Sequence, residues 1–352
     1  MTYLVKQRGI QILSVAVLAL VSRIAGQNST YKRGLTDHFI NFLDLKSNYY
    51  PYGFNRTQFF GGSFGGKDND STPINRVPVV FVHGAADMVI GYGWENDGFR
   101  YDIEYFLDHG YTKAEIYGSQ WGYADIPNEL NLQHDTEWVL QIRRFIEAVL
   151  DYTGAPQVDV VSHSMGVTLS RAALKGGYYF LENIQTLFLK PINKRIRTFI
   201  GIAGGNYGIS LCTMEYYKLN FPICDTQIGF YPGELDNTTN KVKNLSKFMK
   251  QLNDIKVREA TKTYSIFSLY DASVLPYTLD GKYTSVFPGI NAAYIYNSSE
   301  YGHLGVRDLT QEFQYNLLNK PHEELPETNV MMKLTFETEE EIPEEKKELF
   351  LY

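Results

Sequence analysis

Cysteine is almost absent from this chain: its 352 residues hold only Cys212 and Cys224. One pair of thiols is too few for a disulfide-stapled miniprotein, so the fold has to rest on a hydrophobic core. Apolar residues at 44% and aromatic residues at 14% are enough for a large one. Past the N-terminus no run is long and apolar enough to span a bilayer, which excludes a channel or a membrane bundle. Basic patches are missing too. No basic face and no aromatic platform interleaved with Arg or Lys points to nucleic acid. Formal net charge is −7, and the stretch from Pro321 to Tyr352, with ten Glu and three Lys, carries all of it. The length suits one large α/β domain with excursions.

The one sizeable apolar run, Ile10 to Val21, has Lys6 and Arg8 ahead of it and the small residues Ala25 and Gly26 behind. It falls short of the roughly 20 residues a bilayer span needs. Residues 1–26 therefore read as a secretory signal peptide, with a signal anchor as the alternative. Two further features agree with export. Cys212 and Cys224 enclose eleven residues of tyrosine-rich, loop-like chain and should pair in an oxidising compartment. Asn28, Asn55, Asn69, Asn237, Asn244 and Asn297 each stand two residues before Ser or Thr with no Pro between, so some glycosylation is expected.

Residues 27–76 combine an amphipathic segment, Leu35 to Leu45, with a Tyr/Gly/Asn-rich passage through Gly61 to Gly66, and read as surface loops. The glycines are not a phosphate loop, because no Lys-Ser/Thr pair opens a helix after them. From Val77 the pattern becomes regular. Val77 to Val82 is a β-branched run of the kind buried in a parallel sheet. Helical spacing near Asp97 to Asp108 and from Asp135 to Tyr152 alternates with strands at Ala114 to Tyr117, Val158 to Val161, Arg197 to Ala203, Thr263 to Tyr270 and Ala292 to Tyr296. A last helix covers Arg307 to Asn319. Such alternation predicts a mainly parallel, doubly wound α/β sheet over 27–320. Residues 206–250 interrupt it with both cysteines and many aromatics and are expected to form a lid or cap. Residues 321–352 form an acidic tail in which Met331, Met332, Leu334 and Phe336 offer an edge strand.

The chemistry is carried by Ser162-His163-Ser164-Met165-Gly166, which stops a strand and opens a helix. A serine at so sharp a turn is forced into strained geometry that lifts its Oγ clear of the sheet. Ser164 is the candidate nucleophile. A serine hydroxyl needs a base, and the base an orienting carboxylate; on such a sheet the order is Ser, acid, His. Asp271, after the strand Thr263 to Tyr270, is the expected acid, with Asp225, Asp236 and Asp280 as rivals. His303, flanked by Gly302 and Gly305 after the strand Ala292 to Tyr296, is the expected base. His38, His109, His134 and His322 sit in less suitable places, and the turn is expected to direct His163 elsewhere. For the oxyanion, the amides of Met165 and Ala85 are the expected donors, with His83 and Gly84 shaping the turn. A metal site on His83 and Asp87 lacks a third ligand at a sensible spacing.

Taken together, Pro78 to Gly84, Gly118-Ser119-Gln120-Trp121-Gly122, Asp159 to Gly166, Phe267 to Asp271 and Gly302-His303-Leu304-Gly305 resemble the class 2 lipase family of α/β-hydrolases, more narrowly its secreted, nematode-type members. Gly62 to Lys67 is also similar to those members, and the likeness runs from about 35 to 320. The resemblance implies an α/β-hydrolase fold and hydrolysis of carboxylic esters by Ser164, Asp271 and His303, with no cofactor or metal. The expected substrate is an acylglycerol, met through transient contact with a lipid interface. Short soluble esters are the alternative, and a catalytically silent lipid-binding relative a third reading. Ser162 stands where the family pattern has glycine, and its hydroxyl is expected to slow the chemistry by crowding. The acidic tail has no counterpart in the compact bacterial members.

Overall fold

The computed structural model describes residues 31–91, 93, 96–180, 186–320 and 332–336. The signal segment 1–26, Asn28 and most of the acidic tail lie outside the described residues. The main sheet contains β1 (Gly34–Leu35), β2 (Ser63–Gly65), β3 (Val79–Val82), β4 (Ile116–Ser119), β5 (Val158–His163), β6 (Ile196–Ile202), β7 (Lys262–Ser268), β8 (Ala292–Tyr296) and β9 (Met332–Thr335). Their spatial order is β1-β2-β4-β3-β5-β6-β7-β8-β9. From β4 across to β8 every neighbouring pair is parallel. At the flanks, β2 joins β4 and β9 joins β8 in the antiparallel sense.

Strands β3 and β5 are buried along their whole length, which is why they read as unbroken apolar runs. Their side chains alternate between two cores. Val80, Val82, Val158 and Val160 meet Ile142, Phe145, Ile146 and Val149, the apolar stripe of a long helix (Thr136–Thr153). On the other face, Phe81, Val161, Ile200 and Ile266 pack with Phe99, Ile103 and Phe106 and with Phe313 and Leu317. Each such side chain stabilises the fold by about 1.5–3 kcal/mol. The helices are α1 (Asp37–Asp44), α2 (Arg100–Asp108), α3 (Thr136–Thr153), α4 (Met165–Lys175), α5 (Lys247–Asp254), α6 (Gly305–Asp308) and α7 (Gln311–Asn319), besides a six-residue turn of helix at Glu215–Asn220.

Local chemistry moves several boundaries from where the sequence puts them. Thr112 and Glu115 form a capping box around a short helical turn, so β4 starts at Ile116 rather than Ala114. The Ser268 hydroxyl accepts from the Tyr270 amide and ends β7 two residues early. The last helix is two pieces, broken at Leu309 and Thr310, where the Thr310 hydroxyl bonds the Val306 carbonyl. Residues 27–76 are not surface loops throughout. Phe39 and Leu43 of α1 are core residues, and Gly61 to Gly66 are buried along the sheet edge. A Cβ at Gly65, where φ is +124°, would lie 2.4 Å from the Ile116 carbonyl oxygen, so the approach of β2 to β4 requires glycine there.

The long excursion after β6 holds a disulfide between Cys212 and Cys224, the helical turn Glu215–Asn220 and a hairpin pairing Glu234–Asp236 with Lys241–Lys243. Its two ends meet on α4. Fully buried Arg171 donates to Asn206 Oδ1 and Asn253 Oδ1, both at 3.0 Å, and to Glu259 Oε1 at 2.9 Å. The Asn253 amide closes the ring on the Asn206 carbonyl at 2.9 Å. Of the sequon asparagines, Asn69, Asn237, Asn244 and Asn297 are exposed and Asn55 is half-buried. No helix among the described residues is long and apolar enough to cross a membrane.

Closing a loop of this size by a disulfide contributes on the order of 3 kcal/mol by restricting the unfolded chain. Limited proteolysis of a Cys212→Ser/Cys224→Ser double variant is expected to show faster cleavage between 206 and 250 at temperatures where the core is still folded. Unchanged cleavage in that segment would contradict the assignment.

Candidate active site

Ser164 sits between β5 and α4 with φ 52° and ψ −126°. That conformation costs about 1–3 kcal/mol for a residue with a side chain, so the surroundings must impose it. The Ser164 amide donates to the Ile202 carbonyl on β6 at 2.8 Å, and the Val167 amide returns to the Ser164 carbonyl at 3.0 Å. The first turn of α4 passes hard under β3. A Cβ at Gly166 would lie 2.3 Å from the His83 carbonyl oxygen and 2.7 Å from that of Val82. Ser162, expected to crowd the nucleophile, turns its hydroxyl onto Ser170 Oγ of α4 at 2.8 Å and is fully buried there. The crowding expectation is therefore corrected: the hydroxyl is engaged by α4.

Ser164 Oγ lies 3.0 Å from His303 Nε2, and His303 Nδ1 lies 2.8 Å from Asp271 Oδ2. The second carboxylate oxygen of Asp271 accepts from the amides of Ser273 at 2.9 Å and Val274 at 2.8 Å. With its side chain buried and its oxygens taken by N–H donors, Asp271 fixes the imidazole so that Nδ1 carries the proton and Nε2 faces the serine. The three residues follow the carboxyl ends of β5, β7 and β8. The His303 side chain keeps 15% of its surface exposed, so the serine and histidine are reachable from solvent.

The loop after β3 lies over Ser164, since a Cβ on Gly84 would come within 3.0 Å of the Ser164 Cβ. Two contacts fix this loop. The His83 ring donates from Nδ1 to the Gly84 carbonyl at 2.8 Å, accepts the Trp121 amide at Nε2 at 3.2 Å, and stacks on the Trp121 indole. Burial pushes the His83 imidazole down to about 3, so it stays neutral. Asp87 accepts from the amides of Met88 and Gly98 and pairs with Arg307 Nη1 at 2.5 Å. Arg307 is fully buried on α6, and Asp87 and Asp308 hold it protonated. The Met165 amide opens α4, where no intrahelical acceptor exists, and Ala85 follows Gly84 directly.

The rival carboxylates are engaged elsewhere. Asp225 caps the amides of Gln227 and Ile228, Asp236 those of Thr238 and Thr239, and Asp280 bonds Thr278. Among the histidines, His38 bonds Tyr152 and Asp70, His109 bonds the Tyr105 carbonyl, and buried His134 links Thr168 of α4 to Ile228. His322 lies outside the described residues. His163 differs from expectation: its Nε2 donates to the His303 carbonyl at 2.9 Å. Sequence reasoning also missed Arg307 and Trp121 as supports of the loop after β3. The partners are 220 and 38 residues apart in the chain, and no spacing rule signals such contacts.

A serine on a strained turn at the carboxyl end of a central parallel strand, with a carboxylate and a histidine on later loops in that order, defines the molecule as an α/β-hydrolase. The family model described as Lipase (class 2) matches residues 76–316, and the chain belongs to that family of carboxylic ester hydrolases. Among solved structures it is similar to Aspergillus fumigatus lipase B at 15% identity and a TM-score of 0.45, over 73% of this chain and 56% of that one. The mature Bacillus licheniformis lipase BlEst2 matches at 16% identity and a TM-score of 0.44, over 73% and 97% of the two chains. The Pyrococcus horikoshii acylaminoacyl peptidase matches at 16% identity and a TM-score of 0.41, over 75% of this chain and 40% of its own.

Ser162→Ala removes one buried hydroxyl pair and is expected to cost about 1 kcal/mol of stability while leaving ester turnover nearly unchanged. Gly166→Ala, by contrast, drives a methyl into two strand carbonyls and should abolish the folded elbow. Thermal melts with turnover on a soluble ester check both, and a gain in turnover on Ser162→Gly would mean that the hydroxyl does crowd Ser164.

Proposed function

We propose that the protein is a secreted serine ester hydrolase that acts on acylglycerols. The observation that carries the reading is the unbroken relay from Asp271 through His303 to Ser164 Oγ, with both contacts at hydrogen-bond length. Ser164 attacks the ester carbonyl while His303 Nε2 takes its proton. Asp271 stabilises the imidazolium, and the amides of Met165 and Ala85 receive the oxyanion. His303 then protonates the departing alcohol, and water attacks the acyl-enzyme with the same imidazole as base.

The acylglycerol assignment is supported by apolar side chains exposed on loops that leave the carboxyl edge of the sheet. Met214, Tyr216 and Leu219 are exposed on the excursion, and Tyr270, Leu275, Tyr277 and Leu279 on the loop that carries Asp271. Such a rim favours transient contact with a lipid interface. Secretion is supported by the signal-like segment 1–26, by the Cys212–Cys224 disulfide and by the exposed sequons at Asn69, Asn237, Asn244 and Asn297.

A fluorophosphonate probe is expected to label the wild type and to leave Ser164→Ala unlabelled; equal labelling of both, or none of either, ends the serine-hydrolase reading. Asp271→Asn should lower turnover on the order of 10³- to 10⁴-fold by favouring the wrong imidazole tautomer. The wild type should hydrolyse long-chain acylglycerol emulsions as well as short soluble esters. A rate confined to short chains would make the protein a carboxylesterase.

A further inference from the structure

We propose that His163 is a positioning residue for the base: its ring holds the backbone of the His303 loop at the distance from Ser164 that proton transfer requires. The inference rests on the reading of Ser164, Asp271 and His303 as a relay and adds a residue that the relay does not contain. His163 is the last residue of β5, so its backbone is as rigid as the sheet. Its Nε2 donates to the His303 carbonyl at 2.9 Å, and the two rings lie 4.8 Å apart between centroids, tilted by 46°. Among the described residues the His303 carbonyl accepts from no other donor.

Glycines at 302 and 305 bracket the base, and the helix behind it has four residues. Asp271 fixes the side chain of His303 but not its backbone, and a ring held at one end only can swing. The His163 contact supplies the second point. It also sets the tautomer. Nε2 must carry the proton to donate, and Nδ1 is buried with no partner among the described residues. It faces Gly84, where a Cβ would come within 3.2 Å. A second proton on Nδ1 would find no acceptor. Burial above all, and then the neighbouring charges of His303 and Arg307, hold the His163 imidazole well below its ordinary range. His163 therefore stays a neutral donor while its neighbour cycles through the imidazolium.

The test compares His163→Phe, which keeps an aromatic ring but has no donor, with His163→Gln, whose amide can donate. Fluorophosphonate labelling rates, kcat and KM on a soluble short-chain ester, melting temperature and the low-field proton resonance of the His303 Nδ1–H are measured for each. His163→Phe is expected to slow labelling and kcat on the order of 30- to 100-fold, as displacing a catalytic group by about 1 Å does. KM should stay near wild type and the low-field resonance should broaden well below the melting point; His163→Gln should recover most of the rate. Should His163→Phe not fold, His163→Met carries the same comparison without a donor. A folded donor-less variant that labels at the wild-type rate overturns the proposal. So does a rate loss that appears as raised KM with the His303 resonance intact. A wild type that does not label at all removes the relay reading itself, which separates the two failures.

Discussion

The backbone conformation of Ser164 is the constraint on which the rest of the structure depends. No local interaction makes φ 52° comfortable for serine, so the elbow exists only because its neighbours leave no alternative. Ile202 on one adjacent strand takes its amide, while on the other side the carbonyls of Val82, at the end of β3, and of His83, just past it, press against Gly166. A sheet of parallel strands buried on both faces is stiff enough to enforce this; a surface turn would relax. The strain puts the hydroxyl outside the sheet directly before the Met165 amide that opens α4, so the proposed nucleophile and the proposed anion donor would come from one distortion.

Two cross-links bring the remaining groups to that point. Asp271 orients the imidazole from the loop after β7, and the buried Asp87–Arg307 pair joins the loop after β3 to the helix behind His303. A buried guanidinium is tolerated here because it lies between the two carboxylates of Asp87 and Asp308. His83 is held neutral by burial, so the loop it shapes carries no competing positive charge from that ring.

Much of this was legible in the chain. The strand Val158 to His163, its sharp stop and the order Ser164, Asp271, His303 follow from local pattern, because each residue stands just past a strand that announces itself. What local pattern could not give were contacts between segments distant in sequence. His163 looked averted because a two-residue alternation predicts only which face a side chain leaves by, and the partner it meets is a backbone carbonyl 140 residues on. Gly61 to Gly66 looked like loop because glycine is the usual residue of turns. Here Gly65 is required by the close approach of β2 to β4, and Gly61 by the Ile90 carbonyl. Ser162 looked like a defect until Ser170, two turns into α4, supplied its partner.

The Arg171 ring has a bearing on how such a molecule diversifies. Arg171 gathers Asn206 and Asn253, so the two ends of the excursion are tied to α4 by one buried cation and two amides, while His134, bonded to Ile228 and stacked on Phe248, holds its middle. The exposed hairpin of Glu234–Asp236 and Lys241–Lys243 between these anchors can lengthen, shorten or change composition with the ends still delivered to the same place. The entropic cost of a longer loop rises only about 0.6 kcal/mol for each doubling. Length and composition can therefore vary in those exposed parts while the strained serine and its supports stay fixed.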